Sequence, residues 1–393
     1  MAGSLTEETL RFFENPYPSL AQLRKHPIIW DEQFGFWRVT RYADVDAILK
    51  DKRFAKNAPL GTEQMSPVRQ NDRFSRGILN LDPPDHTRIR ALMAKAFNAK
   101  SMDSMRPRIE ALVHNLIEAH KARGSMELKS EFAHPIPATV ISEMLGIPEG
   151  DRADFAELSQ NIIRFGNDLL AADDEAADAA VAKFDSYMMG LIKQKRQSPT
   201  DDLTSGLIQA QDESGALNEQ ELTQNVRLLF IAGHETTVNL ICNAVVALFN
   251  HPNQLAFLRS NPDRMPSAVE EFLRFDSSVQ QLPRIAREDV ELHGEQIKAG
   301  QMVVLMLGAA NHDSGTYQNA EVLDVERQFH RSKSFGGGAH FCLGAQLARI
   351  ETEIAIRRLI TELPGLTVAN LQALTYPPNP FFRGPETVQV VWG

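Results

Sequence analysis

Phe335-Gly336-Gly337-Gly338-Ala339-His340-Phe341-Cys342-Leu343-Gly344 is the stretch of this 393-residue chain on which the fold turns. Consecutive glycines adopt backbone conformations that L-residues avoid and let another group approach the main chain closely. Apolar positions from Leu343 to Leu363 recur three or four apart, so a helix is predicted to begin near Cys342. There the terminal amides and the helix dipole would favour an anionic sulfur. A phosphate loop would need Lys and then Ser or Thr after the glycines, and Ala339-His340 stand there instead.

The next unusual element outward is a long apolar helix. It opens at Asn218 with Glu221 three residues on, a capping-box pattern, and ends near Asn250 before His251-Pro252. At 1.5 Å per residue it would span about 50 Å and cross the middle of the fold. Its centre reads Ala232-Gly233-His234-Glu235-Thr236-Thr237. A glycine and two threonines weaken a helix, and a glutamate among apolar neighbours is costly to bury, so local rules are broken where function is expected. A zinc helix is excluded because position 238, where a second histidine would stand, is Val238.

Helical spacing also covers residues 42–50, 86–97, 105–123, 136–145, 181–195 and 266–275, while strands are few: 36–40, 291–307 as two runs around Lys298-Ala299-Gly300, and 388–392. The class is mainly α with small β-sheets, and without repeats or a low-complexity linker residues 1–393 are expected to form a single domain. With 41 Lys and Arg against 51 Asp and Glu, the net charge of −10 argues against general nucleic-acid or anionic-lipid binding. No uninterrupted apolar run approaches a membrane span of about 18 residues. The amino end lacks the order of a secretion signal, and two cysteines fit a reducing compartment, so the expected location is cytoplasmic. Of these cysteines, Cys242 reads as a core residue, whereas Cys342 has the setting that a haem iron requires of a thiolate ligand.

Phe335, Gly338, Cys342 and Gly344 fit a Phe-x-x-Gly-x-x-x-Cys-x-Gly signature, and the chain resembles a bacterial cytochrome P-450 from about Phe54 to its carboxyl end. The centre of the long helix looks like that family's oxygen-activating segment, and Glu271-Phe272-Leu273-Arg274 like its Glu-x-x-Arg element. The resemblance implies a cytochrome P-450 fold with haem b, iron protoporphyrin IX, between the long helix and the Cys342 loop. It implies a monooxygenase that places one oxygen atom of O2 into a small to medium hydrophobic substrate. Cys342 would be the axial ligand, and Thr236 and Glu235 the acid-alcohol pair that handles oxygen and protons beside Ala232. His86, Arg90, Arg284 and His340 would bind the haem propionates, while Glu271, Arg274 and Arg327 would form a structural cluster beneath the haem.

Candidate pocket residues by position are Phe74, Leu79, Phe165, Leu228, Ile231, Gln280, Leu282 and Phe381. No flavin or iron–sulfur motif fits, so electrons are expected from a ferredoxin and its reductase, steered by a basic patch of Arg88, Arg331, Lys333 and Arg349. Alternatives on the same fold are a peroxygenase or a haem dehydratase, and a non-catalytic haem-binding or recruiting module. Two stretches depart from the family: Asn311-His312-Asp313-Ser314 stands where Asn-Arg-Asp-Pro is common, and His330-Arg331-Ser332-Lys333-Ser334 replaces Asn-Arg-His-Leu-Ala.

Overall fold

The helix Glu219–Asn250 runs unbroken for 32 residues, about 48 Å at 1.5 Å per residue. Its start is fixed as the sequence predicts: Glu221 N–H donates to Asn218 Oδ1 at 2.8 Å and Asn218 N–H to Glu221 Oε2 at 3.0 Å. In this computed structural model, which describes residues 7–56, 77–152, 175–214, 217–328 and 331–393, the helix is buried on every side along most of its length. Val238 to Leu248 pack with Ile109, Val113 and Ile117 of helix Arg106–Lys121 and with Ile350, Ile354 and Leu359 of helix Ala345–Glu362. Leu222, Val226 and Phe230 pack with Ile141 and Leu145 and with Phe184, Met188 and Ile192 of helix Glu175–Gln197. It is long and apolar enough to cross a membrane, yet its most apolar stretch is mostly buried inside the fold. Between these two cores lies residues 231–236, where only His234 is buried.

The largest sheet has five strands in the order Ile28–Asp31, Phe36–Val39, Met302–Met306, Gln281–Ala286, Phe54–Ala55, with the second and third parallel and the other neighbours antiparallel. Residues 291–307 form three elements rather than two runs. Val290–Leu292 and Glu295–Ile297 make a hairpin across His293-Gly294, both at positive φ, and Leu307 already begins a short helix. A three-stranded sheet joins Ser125–Glu127, Gln389–Val391 and Thr367–Val368. Most helices match their predicted spans to within two residues, although 86–97 shortens to Asp85–Met93 and 181–195 lengthens to Glu175–Gln197.

Glu271 and Arg274, one turn apart on helix Met265–Phe275, are both buried and meet at 2.6 Å. Arg327 Nε reaches Glu271 Oε2 at 3.1 Å. The remaining guanidinium donors serve carbonyls: Arg274 binds those of Asn311, Ala320 and Val322, and Arg327 those of Gln318, Asn319 and Val322. One carboxylate thereby pins a long connection on which both unusual stretches sit. Asn311 accepts from Lys333 N–H at 2.7 Å and donates to Ser334 Oγ at 2.9 Å, and His312 bridges Glu321 and the Phe275 carbonyl. Removing the carboxylate leaves two guanidiniums unpaired in the interior, so Glu271→Gln is expected to cost about 3–5 kcal/mol. Urea unfolding followed by circular dichroism measures it; a loss under about 1 kcal/mol would contradict this account.

Candidate active site

The glycine loop is shaped by one close approach. Gly336 and Gly338 have φ of +67° and +63°, and a Cβ at Gly338 would lie 2.0 Å from the Leu49 carbonyl oxygen. The partner that needs glycine is therefore the end of helix Tyr42–Lys50. Cys342 N–H donates to Phe335 O at 3.0 Å and closes the loop, and Arg90 Nη2 donates to Phe341 O at 2.6 Å. Phe335 lies under the Arg349 guanidinium, 4.6 Å from its ring centroid.

Helix Ala345–Glu362 begins three residues after Cys342, close to the predicted start. The sulfur still receives the Gly344 N–H. Cys342 is exposed by area yet enclosed by protein atoms, the combination that a cleft produces, and that enclosure pushes its thiol pKa up. The Gly344 N–H and the Arg90 and Arg349 charges pull the other way and lose. The expected stabilisation of the thiolate by protein groups alone is thus corrected; coordination to a metal cation would supply it. Cys242 is buried in the core with its thiol pushed up to about 12.

Beside the loop, the ring of His86 on helix Asp85–Met93 lies tilted at 46° against that of His340, with centroids 4.2 Å apart. His86 is buried, and neither ring nitrogen has a hydrogen-bond partner among the described residues. Arg284 is 3% exposed, and among the described residues its side chain donates only to the adjacent Pro283 carbonyl. Burial, and then the neighbouring cations, push His340 down to about 2, and burial pushes Arg284 down to about 10. These donors lack the anions they are built for. A group with two carboxylates and a metal that takes a thiolate fits them, and haem b is such a group.

In the central helix, Ala232 is exposed inside a core element and marks the cleft's other wall. Thr236 Oγ1 donates to Ala232 O at 2.9 Å, the back-bond common for helical threonines, which leaves its lone pairs as acceptors. Glu235 is half-buried, and Lys129 from the π-turn Lys129–Ala133 stands 3.5 Å away. Nothing in the local sequence pattern flagged Lys129, 106 positions earlier.

The pocket expectations divide. Phe74 and Phe165 lie outside the described residues. Leu79 is exposed, while Ile231, Leu282 and Phe381 are half-buried. Two are corrected. Leu228 is buried in the core, and Gln280 turns its amide toward Gly308 and donates to Ser277 O at 2.7 Å.

The expected basic patch is also largely neutralised. Arg88 pairs with Glu221 at 2.7 Å, Lys333 is buried against Asp46 and the Tyr42 ring, and Arg349 pairs with Glu270. Arg331 is exposed and makes no ion pair among the described residues.

A family model described as Cytochrome P450 matches residues 15–364. The chain belongs to the cytochrome P450 family. It is similar to a vitamin D(3) 25-hydroxylase of Pseudonocardia autotrophica, 40% identical over 97% of this chain and 95% of the relative. Among solved structures it resembles P450BioI in complex with an acyl carrier protein ligated to hexadec-9Z-enoic acid, with TM-score 0.90 and 35% identity over 98% of this chain and 100% of that one. A myxobacterial cytochrome P450 in complex with myristic acid follows, with TM-score 0.89 and 35% identity over 98% of each chain. The protein is therefore a monooxygenase, an oxidoreductase of the cytochrome P450 fold whose cofactor is haem b.

Only Cys342 combines the glycine loop with an exposed sulfur. The reduced holoenzyme with CO is expected to show the thiolate-type Soret band, to keep it in Cys242→Ala and to lose it in Cys342→Ala. The reverse pattern would reassign the ligand.

Proposed function

We propose that residues 1–393 work as one catalytic unit in which Cys342 holds the haem iron, while Glu235 and Thr236 manage protons on the opposite wall. The observation that carries this reading is the exposed window at residues 231–236 in an otherwise buried helix, taken together with an exposed cysteine in a glycine loop whose neighbour His86 is buried without a hydrogen-bond partner among the described residues. When bound, the haem activates dioxygen with two electrons supplied from outside. Thr236 Oγ1 donates to Ala232 O at rest; turned from that carbonyl, the hydroxyl would donate its proton to the reacting oxygen and take one back from a neighbouring water. Glu235 lies between the cleft and Lys129, at a depth that water reaches, and its carboxylate can take up and release a proton there. His86, Arg90, Arg284 and His340 bind the two carboxylates and orient the ring.

The substrate is a small to medium hydrophobic molecule, a reading supported by the apolar side chains at the exposed or half-buried candidate pocket positions Leu79, Ile231 and Phe381 and by the exposed Ala232. The lipid ligands named for the relatives belong to the same class. Electrons come from a ferredoxin and its reductase in the cytoplasm. The donor's site is the groove of about 590 Å³ formed by Arg106, Arg331, Phe341 and Arg349 with Glu270 and Glu353, next to Cys342 in sequence.

Two measurements test this reading. Thr236→Ala should keep haem and substrate-induced spectral shifts but divert most reducing equivalents to hydrogen peroxide, since the relay to the reacting oxygen is cut. Unchanged coupling of NADPH consumption to product would remove Thr236 from the mechanism. Arg331→Glu should weaken binding of an acidic ferredoxin several-fold at low salt, and far less at high salt, without altering substrate binding. A variant indistinguishable from the parent at low salt would move the docking site elsewhere.

A further inference from the structure

Strands Phe54–Ala55 and Gln281–Ala286 pair antiparallel, Phe54 with Ala286 and Ala55 with Ile285. One step further in this register brings Lys56 opposite Arg284. Like charges opposite one another across a ladder are destabilising, and more so where water is scarce. Lys56 is half-buried but densely enclosed, and Arg284 is buried. The Asp82 carboxylate attracts both cations but offsets their unfavourable surroundings only in part. Asp82 accepts the Lys56 backbone N–H at 3.1 Å and pairs with Arg287 at 3.0 Å, while the Lys56 ammonium has no ion pair among the described residues. From helix Asp85–Met93 His86 faces the same space, with Arg90 beyond it, and from the glycine loop so does His340.

We propose that Lys56 is a carboxylate-binding residue of the haem site: its ammonium pairs, alongside Arg284, with a haem propionate. This rests on the haem assignment above. It adds to the expected set a cation from the edge of the main sheet, where no helical spacing or motif marks it. The missing anion explains why two cations are tolerated at adjacent ladder positions. It also explains why burial, and then the Arg284 charge, depress the Lys56 ammonium to about 7: a counter-charge restores the protonated form, as it does for any buried lysine that gains an anion.

The test uses holoenzyme. Transfer of haem to excess apomyoglobin should be about tenfold faster in Lys56→Gln, as for loss of one charge-assisted contact, and near the parental rate in Lys56→Arg. The propionate bending bands in the resonance Raman spectrum should shift in Lys56→Gln and return toward parental positions in Lys56→Arg. Parental haem transfer in Lys56→Gln, or faster transfer with unshifted propionate bands, would overturn the assignment; the second result would make Lys56 a packing residue only. The reduced-CO band of the parent separates the two levels of inference. Its absence would sink the haem-thiolate reading, whereas its presence with either overturning result would remove Lys56 alone.

Discussion

A helix that is apolar all round and buried along both halves can expose its middle only if the elements around it are held apart. Everything near the cleft serves that constraint. The two cores grip residues 222–230 and 238–248 separately, and in the window between them Ile231 and His234 still pack inward while Ala232 is exposed. The Cys342 loop is kept from collapsing onto the helix by its own anchors: Gly338 against the Leu49 carbonyl, Arg90 on the Phe341 carbonyl, and the Phe335 ring beneath Arg349. Further out, Glu271 ties Arg274 and Arg327 to one connection, so the loop's far end is fixed by buried charge rather than by apolar fit. Buried ion pairs are weak sources of net stability, but they have one good geometry, which suits a scaffold that must hold a gap.

The electrostatics of the cleft are lopsided. Around Arg284, the cations Lys56 and Arg90 gather with His86, whose ring has no hydrogen-bond partner among the described residues, and outnumber the carboxylate of Asp82; around Cys342, enclosure opposes the anion that a metal ligand must become. Both imbalances are unfavourable for the polypeptide alone, and both are relieved by one dianionic ring carrying a metal. That is why chain and cofactor specify each other: cofactor binding converts two local penalties into attractive contacts, and its free energy adds to the stability of the fold.

Much of this was legible in the sequence because it is written in local patterns. The capping box at Asn218, the glycine loop and the Glu271–Arg274 spacing each depend on residues within a few positions of one another. Long-range placement was not. Lys129 meets Glu235 through a π-turn with no recognisable spacing, and Lys56, proposed above as a propionate partner, comes opposite Arg284 through strand register. Gln280 read as a pocket residue by its position in the sequence. Its amide lies against Gly308, which leaves room for it there, and donates to Ser277 O. The surface cations misled for a related reason: charge is visible in sequence, but the carboxylates that neutralise Arg88, Lys333 and Arg349 come from positions 221, 46 and 270.

Those pairings change what the sulfur-side surface can do. A field strong enough to capture an acidic partner at long range needs unbalanced charge, and in this groove Arg106 is matched by Glu353 and Arg349 by Glu270. Alternating charge of this kind contributes little at distances beyond a Debye length, about 10 Å at 0.1 M salt, but discriminates strongly once surfaces touch. Wrong registers bring carboxylate against carboxylate. If this groove is the donor's site, as proposed, it is better suited to selecting the orientation of a docked donor than to accelerating its arrival, and Phe341, exposed in the same groove and bonded in sequence to Cys342, would be where a correctly oriented donor comes nearest the proposed ligand sulfur.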